Sequence, residues 1–418
     1  MMYIKLKDYE VICELHSGVR SRIYRGKRIS DGYHVIIKVM NKEYQSNEDM
    51  KGLKGEFEIG NRIKSSNVIK YLDIIKYNNG LAIIEEYFSG ETIHKLNKSH
   101  VFKLKEFLSI SIGICNALKK IHAENIVYVA INPSNILYER KTGEIKIIDF
   151  SSAEYLSNEN YILENNNIVE GSLNYISPEQ TGRMNRTIDY RSDFYSLGIT
   201  FYEMLTGRLP FESKDTMELI YSHVAKEPES ITKFNFDIPK VVSNIVLKLI
   251  AKNPEDRYKS VSGLKRDLEK CLIQIENNLN EDFELGKYDF SGEFCIQQKL
   301  YGRDKEIQRL IKSFDRVTAG AAELLLISGS PGIGKSALVQ EVCNSVQQKN
   351  GYFIMGKFEQ FKNDIPYSAI IKALDNFVNQ LLVESSSQVE TWKESILKAV
   401  GNNGQVIVDV IPTLELII

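Results

Sequence analysis

No run of apolar residues in this 418-residue chain approaches the roughly 18 that a membrane-spanning helix needs. The N-terminal "MMYIKLKDYEVI" carries too short an apolar stretch for a signal peptide. Cysteine is scarce and scattered. Cys13, Cys115, Cys271, Cys295 and Cys343 show no C-x-x-C spacing, which argues against structural zinc and against a disulfide framework. Reduced thiols in a cytoplasmic protein are the expectation. Neither sign of charge is in excess: 53 basic residues face 55 acidic ones, a net of −2, so no global field draws the chain to nucleic acid or to an acidic membrane. Repeats and low-complexity tracts are absent. What is present, 43% hydrophobic and 26% charged residues, is the composition of a globular protein long enough for about two or three cores.

The periodicity changes along the chain. From Tyr9 to Met40 short β-branched and aromatic runs such as "HVIIKVM" predict strands. Residues 48 to 64 predict a helix, and "VIKYLDIIKY" and "LAIIEEYF" predict two strands around the turn "NNG". Beyond residue 100 helical patterns dominate: "KLKEFLSISIGICNALKKIHAEN", "RSDFYSLGITFYEMLTG" and "VVSNIVLKLIAKN". A strand-rich front and a helix-rich body imply two lobes. The polar stretch from 273 to 298 is expected to be an interdomain linker, separating a domain at 9–272 from a second at 299–418. There "ELLLISGSPGIGKSALVQEV" reads as a strand, a Gly-rich turn and a helix, the opening of an α/β unit.

Phosphoryl transfer from ATP needs a Lys on the phosphates, an acid to hold that Lys, and metal ligands. "VIIK" supplies Lys38 at the end of an apolar strand, and Glu56 lies on the following helix where a pairing acid would face it. Asn135 in "NPSNILY" and Asp149 in "IKIIDFSS" follow in the order and spacing that two Mg²⁺ ligands require. Each residue alone has an ordinary structural explanation, a solvated Lys at a strand end among them. Together they are hard to obtain otherwise.

The segment from about 9 to 271 resembles the protein kinases. "GSLNYISPEQTGRMNRTIDYRSDFYSLGITFYEMLTGRLPF" is similar to the end of a kinase activation segment and the helix behind it. By that resemblance Ser177-Pro178-Glu179 stands for A-P-E, Asp193 for the Asp that braces the catalytic loop, and Arg257 for the Arg that pairs with Glu179. "YISPEQTGRMNR" resembles one group in particular: bacterial multidomain signalling proteins with a serine/threonine-kinase-like domain, a P-loop ATPase, GAF-type sensing and often a sensor histidine kinase.

Several positions depart from the kinase pattern. The Gly-rich loop "LHSGVRSRIY" keeps only Gly18, with His16 and Ser21 in place of the other two glycines, and side chains there limit backbone approach to phosphate. Ser151 replaces the Gly of the metal motif, and Glu85 or Ile84 fills the place before the hinge, where a Glu would be a costly desolvated charge. In "IVYVAINPSNILY" the catalytic-loop pattern H-R-D-L-x-x-x-N sets an Asp five residues before the Asn, and Ala130 stands there, preceded by Tyr128 and Val129. General-base catalysis contributes about 10²–10⁴-fold. The retained ligands imply ATP binding through Gly18, Lys38, Glu56, Asn135 and Asp149 with little turnover, a pseudokinase with no confident catalytic residue. Two alternatives stand beside it: a weakly active serine/threonine kinase acting on proteins, and a scaffold that binds no nucleotide.

"GSPGIGKS" fits G-x-x-x-x-G-K-S/T throughout, from Gly329 through Ser330, Pro331, Gly332, Ile333 and Gly334 to Lys335 and Ser336. In such a loop backbone N–H groups wrap phosphate, Lys335 reaches the β/γ oxygens and Ser336 binds Mg²⁺. "LYGRDKE" resembles a signature of signal-transduction P-loop ATPases and implies that Arg303 lies near the nucleotide. Asp409 in "QVIVDVIP" is a candidate Walker B acid and more often a decoy. The expected architecture is an α+β two-lobed protein-kinase-like domain followed by an incomplete α/β P-loop NTPase domain. It would take ATP and Mg²⁺ and work with protein partners or C-terminal signalling modules outside this sequence, without nucleic acid or direct membrane insertion. The chain is expected to be part of a longer protein or a truncated product, open to cleavage near residue 285.

Overall fold

The computed structural model describes residues 6–18, 21–41, 45–77, 80–99, 102–156, 170–181, 188–279, 281–290, 302–330, 333–340, 346, 351–356, 366–381, 386–401 and 404–418. The chain forms two compact units, one of Met1–Tyr175, Ile188–Pro210 and Glu229–Cys295, the other of Ile176–Thr187, Phe211–Pro228 and Ile296–Ile418.

The first unit begins with an antiparallel sheet of β1 (Tyr9–Ser17), β2 (Ser21–Arg28), β3 (His34–Met40), β4 (Tyr71–Tyr77) and β5 (Gly80–Glu86), in the order β1-β2-β3-β5-β4. Alternation along β3 buries Val35, Ile37 and Val39 with Tyr24, Ala82 and Ile84 in one core. The same period of two turns Ile36 and Lys38 to the opposite face, where Lys38 lies between Ile23 and Ile83 in the ladder. Helix α1 (Asn47–Arg62) starts at a capping box in which Ser46 and Asp49 exchange hydrogen bonds. Its buried positions Leu53, Glu56, Ile59 and Gly60 fall on one stripe, so the helical period itself brings Glu56 inward.

Strand β6 (Glu91–Thr92) and helix α2 (Ile93–Ser99) lead into the helical body of this unit, which is built on α3 (Leu104–Ala123), α4 (Arg191–Thr206), α6 (Lys240–Leu249) and α7 (Val261–Glu276). Helix α3 buries Phe107, Leu108, Ile110, Ile114, Ala117, Leu118 and Ile121 and packs on α7. Each of the buried Leu, Ile and Phe side chains contributes about 1.5–3 kcal/mol relative to exposure. Helix α4 is buried almost all round and stops at Gly207, whose φ of 72° the missing Cβ permits. Between α3 and α4 run the short strands β7 (Ile126–Val127), β8 (Ile136–Glu139), β9 (Glu144–Ile147) and β10 (Glu154–Tyr155). The β8–β9 hairpin and the β7–β10 pair frame the loop that carries Ala130 and Asn135. Arg257 is buried, and its guanidinium is satisfied by the carbonyls of Ala251 (2.8 Å), Arg191 (2.9 Å) and Lys252 (3.1 Å) while lying over the Tyr195 ring.

Within the expected linker at 273–298, the described residues are ordered against the helical body. The first of them continue α7, and residues 281–290 fold back as a strap. Asp289 accepts from Lys259 N (2.6 Å) and Ser260 Oγ (2.8 Å), at the residue that caps α7. Gly286 N donates to Asp267, which also accepts from Tyr258 Oη. Lys270 stands 4.0 Å over the Phe283 ring. Of the acids in this stretch, Asp289 is the one that turns inward, as a ligand to the backbone and cap of α7, while Glu281, Asp282 and Glu284 are exposed.

In the second unit helix α5 (Thr216–Ala225) is capped by Asp215, which accepts from Met217 N and Glu218 N. Among the described residues from 302 onward there are helices and turns and no strand. They include α8 (Asp304–Thr318), α9 (Lys335–Gln340) and the helices Ser368–Leu381, Ser386–Val400 and Gly404–Val410. The strand expected in "ELLLISGS" is instead an unpaired segment with Leu324 at 86% and Leu326 at 88% exposure. A buried parallel strand needs hydrogen-bonded neighbours and helices on both faces. None of the described residues supplies such a neighbour. The core here is a cluster of Val378, Leu381, Ile411, Leu414 and Ile417, edged by the mutually T-shaped rings of Tyr352, Phe377 and Trp392. No helix among the described residues is long and apolar enough to cross a membrane.

Candidate nucleotide sites

Lys38, Glu56 and Asp149, far apart in sequence, meet in the first unit. Lys38 Nζ donates to Glu56 Oε1 at 2.7 Å and to Asp149 Oδ1 at 2.9 Å. Lys38 and Glu56 are almost wholly enclosed, at 9% and 2% side-chain exposure, and a lone charge there would be costly. Burial opposes the ammonium, yet Asp149 and Glu56 together hold its pKa above the ordinary lysine value. Burial also acts against the Asp149 carboxylate, and the attraction of Lys38 overcomes it, leaving the group below the usual range. For Glu56 burial is the stronger influence and its pKa rises, with Lys38 opposing. The result is a charged lysine shared between two acids.

Asn135 ends a 3-10 turn, Pro133–Asn135, that Asn132 caps by accepting from Ser134 N at 2.9 Å. Ile148 N donates to Asn135 O at 3.0 Å, which ties the Asn to the residue before Asp149. The side-chain amide of Asn135 donates to Ala130 O at 3.0 Å, so its oxygen is the atom with acceptor capacity to spare. Asn135 and Asp149 therefore sit on one hydrogen-bonded frame, a hard oxygen set of the kind that suits Mg²⁺. Asp149 itself has φ 64° and Val129 φ 68°. For a β-branched residue that conformation costs about 1–3 kcal/mol and persists only when its surroundings impose it. They do: Asp193, fully buried in α4, accepts from Tyr128 N (3.0 Å), Val129 N (2.8 Å) and His122 Nε2 (2.8 Å). Asp193 thus braces the loop as its resemblance implies, and His122 is a third donor that sequence pattern did not single out. At position 130 the loop presents a methyl group.

Three more residues belong to this site. Glu85 is buried at 7% exposure, and burial pushes its carboxyl up to about 8 against the pull of Lys38. Of the two candidates for the place before the hinge, Ile84 packs in the sheet core with Val35 and Ile37, and Glu85 is the one whose charge reaches Lys38. Tyr128 is buried, packs edge-on against Phe150 and donates to Ile148 O. Tyr71 of β4 donates to Glu56 Oε1 at 2.9 Å. An aromatic in a strand ordinarily signals core, so nothing in the sequence marked Tyr71. Gly18, by contrast, sits in the turn where it is expected, its N–H donating to Ser21 O at 2.9 Å.

At the second motif Lys335 opens α9, and its Nζ donates to Gly329 O (2.9 Å) and Ser330 O (3.0 Å). Gly334, at φ 95°, makes the turn into the helix, and Ser336 follows exposed. Pro331 and Gly332 lie outside the described residues. Arg303 pairs with Glu306 at 3.3 Å at the start of α8. Asp409 is exposed on the helix Gly404–Val410, where it accepts from Gln405 at 3.0 Å. A Walker B acid ends a buried strand, and Asp409 does not.

The model of the protein kinase domain matches residues 9–268, and that of an AAA ATPase domain matches 299–414. Over 265 residues the chain is 43% identical to hybrid signal transduction histidine kinase G of Dictyostelium discoideum, covering 58% of this chain and 8% of that protein. Over 286 residues it is 30% identical to the serine/threonine-protein kinase PrkC of Bacillus subtilis, covering 67% of this chain and 43% of the relative. Histidine protein kinase 1 of Candida albicans is 25% identical over 413 residues, which cover 90% of this chain and 17% of that protein. The chain thus spans less than half the length of each of these relatives. With the kinase model matching well over half of its residues, the chain belongs to the protein kinase family, its kinase domain followed by an AAA ATPase domain.

Proposed function

We propose that the kinase domain binds Mg·ATP and transfers its phosphate poorly, serving as a nucleotide-responsive regulatory module in signal transduction. One observation carries this: Lys38 is already held between Glu56 and Asp149, while Ala130 offers no carboxylate to a substrate hydroxyl. Lys38 would take the phosphates, and Asp149 with Asn135 would hold Mg²⁺, which neutralises phosphate charge when bound. Phosphoryl transfer runs through a loose transition state in which positioning and electrostatics do most of the work. The base adds about 10²–10⁴-fold to turnover and is not among the nucleotide ligands, so its loss lowers turnover far more than binding. Gly18 alone of the three loop glycines remains, which favours modest affinity. At the second motif Gly329, Ser330, Pro331, Gly332, Ile333, Gly334, Lys335 and Ser336 would bind a second nucleotide with Mg²⁺. Protein partners or further signalling modules would receive the signal in the cytoplasm.

The test uses the full chain carrying Lys335→Ala, so that only the first site remains. Titration with a fluorescent ATP analogue and Mg²⁺ is expected to saturate, while phosphate transfer to a generic basic protein stays near background. Failure to bind would favour a scaffold without nucleotide. Turnover at the rate of ordinary kinases would overturn the proposal.

A further inference from the structure

Tyr71 is 2% exposed and lies against a notch in α1. The notch is Gly60: a Cβ there would come within 2.2 Å of Tyr71 Cε2, so this ring position and any larger residue at 60 exclude each other. The ring meets Phe57 and Phe150 edge-on, each with centroids 6.2 Å away. From this seat the hydroxyl bridges two elements. It donates to Glu56 Oε1 at 2.9 Å, the same oxygen that Lys38 holds, and it accepts from Phe150 N at 3.3 Å. Phe150 directly follows Asp149. One phenol therefore joins α1 to the segment carrying the second acid of the Lys38 cluster.

Ring burial alone would explain a Phe at this position. It does not explain a hydroxyl that satisfies a buried N–H and a buried carboxylate at once. Without that oxygen, Phe150 N–H would lose this acceptor, and Glu56 Oε1 would keep Lys38 alone. Leaving such buried groups unpaired carries the full desolvation cost.

We propose that Tyr71 is a positioning residue: it fastens Glu56 and Asp149 around Lys38 before nucleotide arrives, and Gly60 is the small residue that admits it. Its consequence for affinity rests on nucleotide binding at this site, as proposed above. The clasp itself does not.

Tyr71→Phe keeps the ring and removes only the bridge. In the full chain carrying Lys335→Ala, two quantities separate the outcomes. The first is affinity for a fluorescent ATP analogue with Mg²⁺, measured well below the melting temperature. It is expected to weaken about tenfold, the size of a lost hydrogen bond to a charged group. The second is amide exchange without ligand. It is expected to quicken about tenfold at Phe150 and along α1 and to stay unchanged in β2 and β3. A ring that merely fills space predicts no change in either, and affinity within about twofold together with unchanged exchange would overturn the proposal. If the Lys335→Ala parent binds no nucleotide, the proposed function fails. Exchange then decides the clasp alone: quickening at Phe150 upholds it, and unchanged exchange refutes it.

Discussion

The two lysines at the candidate nucleotide sites make an instructive pair. Lys38 is enclosed and bonded to two carboxylates from remote parts of the sequence, whereas Lys335 bonds the carbonyls of its own loop, Gly329 and Ser330. The first arrangement depends on a sheet, a helix and a strained loop all being in register, so it reports on the tertiary fold. The second depends on seven consecutive residues, 329–335. The surroundings follow the same division. Around Lys38, β3, β5 and α1 are closed by buried aliphatic residues, while the apolar run before Lys335 leaves Leu324 and Leu326 largely exposed. A motif can thus be complete in sequence while the described residues around it leave its apolar approach uncovered.

The largest effect that sharpens this contrast is Lys38→Ala. It leaves Glu56 and Asp149 facing each other without a cation, and nucleotide affinity at the first site should fall about 100-fold, seen by titration in the Lys335→Ala background. Lys335→Ala by itself should leave the first site unchanged, because distant sites that share no partner act additively. Next in size is Arg257→Ala, which removes a buried guanidinium from three part-buried carbonyls and should cost about 2–3 kcal/mol in denaturant unfolding of the kinase domain. Asp289→Ala should cost about 1–2 kcal/mol by releasing Lys259 N and Ser260 Oγ. In limited proteolysis of the unsubstituted chain, the first stable fragment should accordingly retain Asp289 rather than end near residue 285.

The smallest effect is a pH slope. Between its ordinary value of 4.5 and about 8, Glu85 carries a proton in the folded chain that it loses on unfolding. The folded state then binds more protons, so this group makes stability fall as pH rises through that window. Glu85→Gln should flatten the decline in melting temperature between about pH 5 and about pH 8. A decline equally steep in the variant would assign the slope to other groups.

Much of the first site was legible because kinase chemistry fixes residue types at set intervals. Lys38, Glu56, Asn135 and Asp149 could be placed from spacing, and the structure brings Lys38, Glu56 and Asp149 into direct contact. The predicted strand around "HVIIKVM" and the helix near 48–64 correspond to β3 and α1 within a few residues. Tyr71 and Gly60 were not legible. Their meaning lies in a contact between a strand and a helix, and each residue alone fits its element for ordinary reasons. The strap at 281–290 was not legible for a related cause: an Asp suits a solvated linker and a helix cap equally well, and only the donors around Asp289 tell the two apart. "ELLLIS" shows the converse, since apolar content makes a strand only where another strand lies alongside.

The central claim is that this kinase domain has kept its nucleotide ligands and lost its base. Ala130→Asp tests it most directly, because the methyl group is replaced in a loop whose backbone Asp193 already holds. Phosphate transfer by the full chain to a basic protein, with Mg·ATP saturating, should rise about 10²–10⁴-fold over the unsubstituted protein with affinity nearly unchanged. Equal and substantial transfer by both chains would contradict the claim.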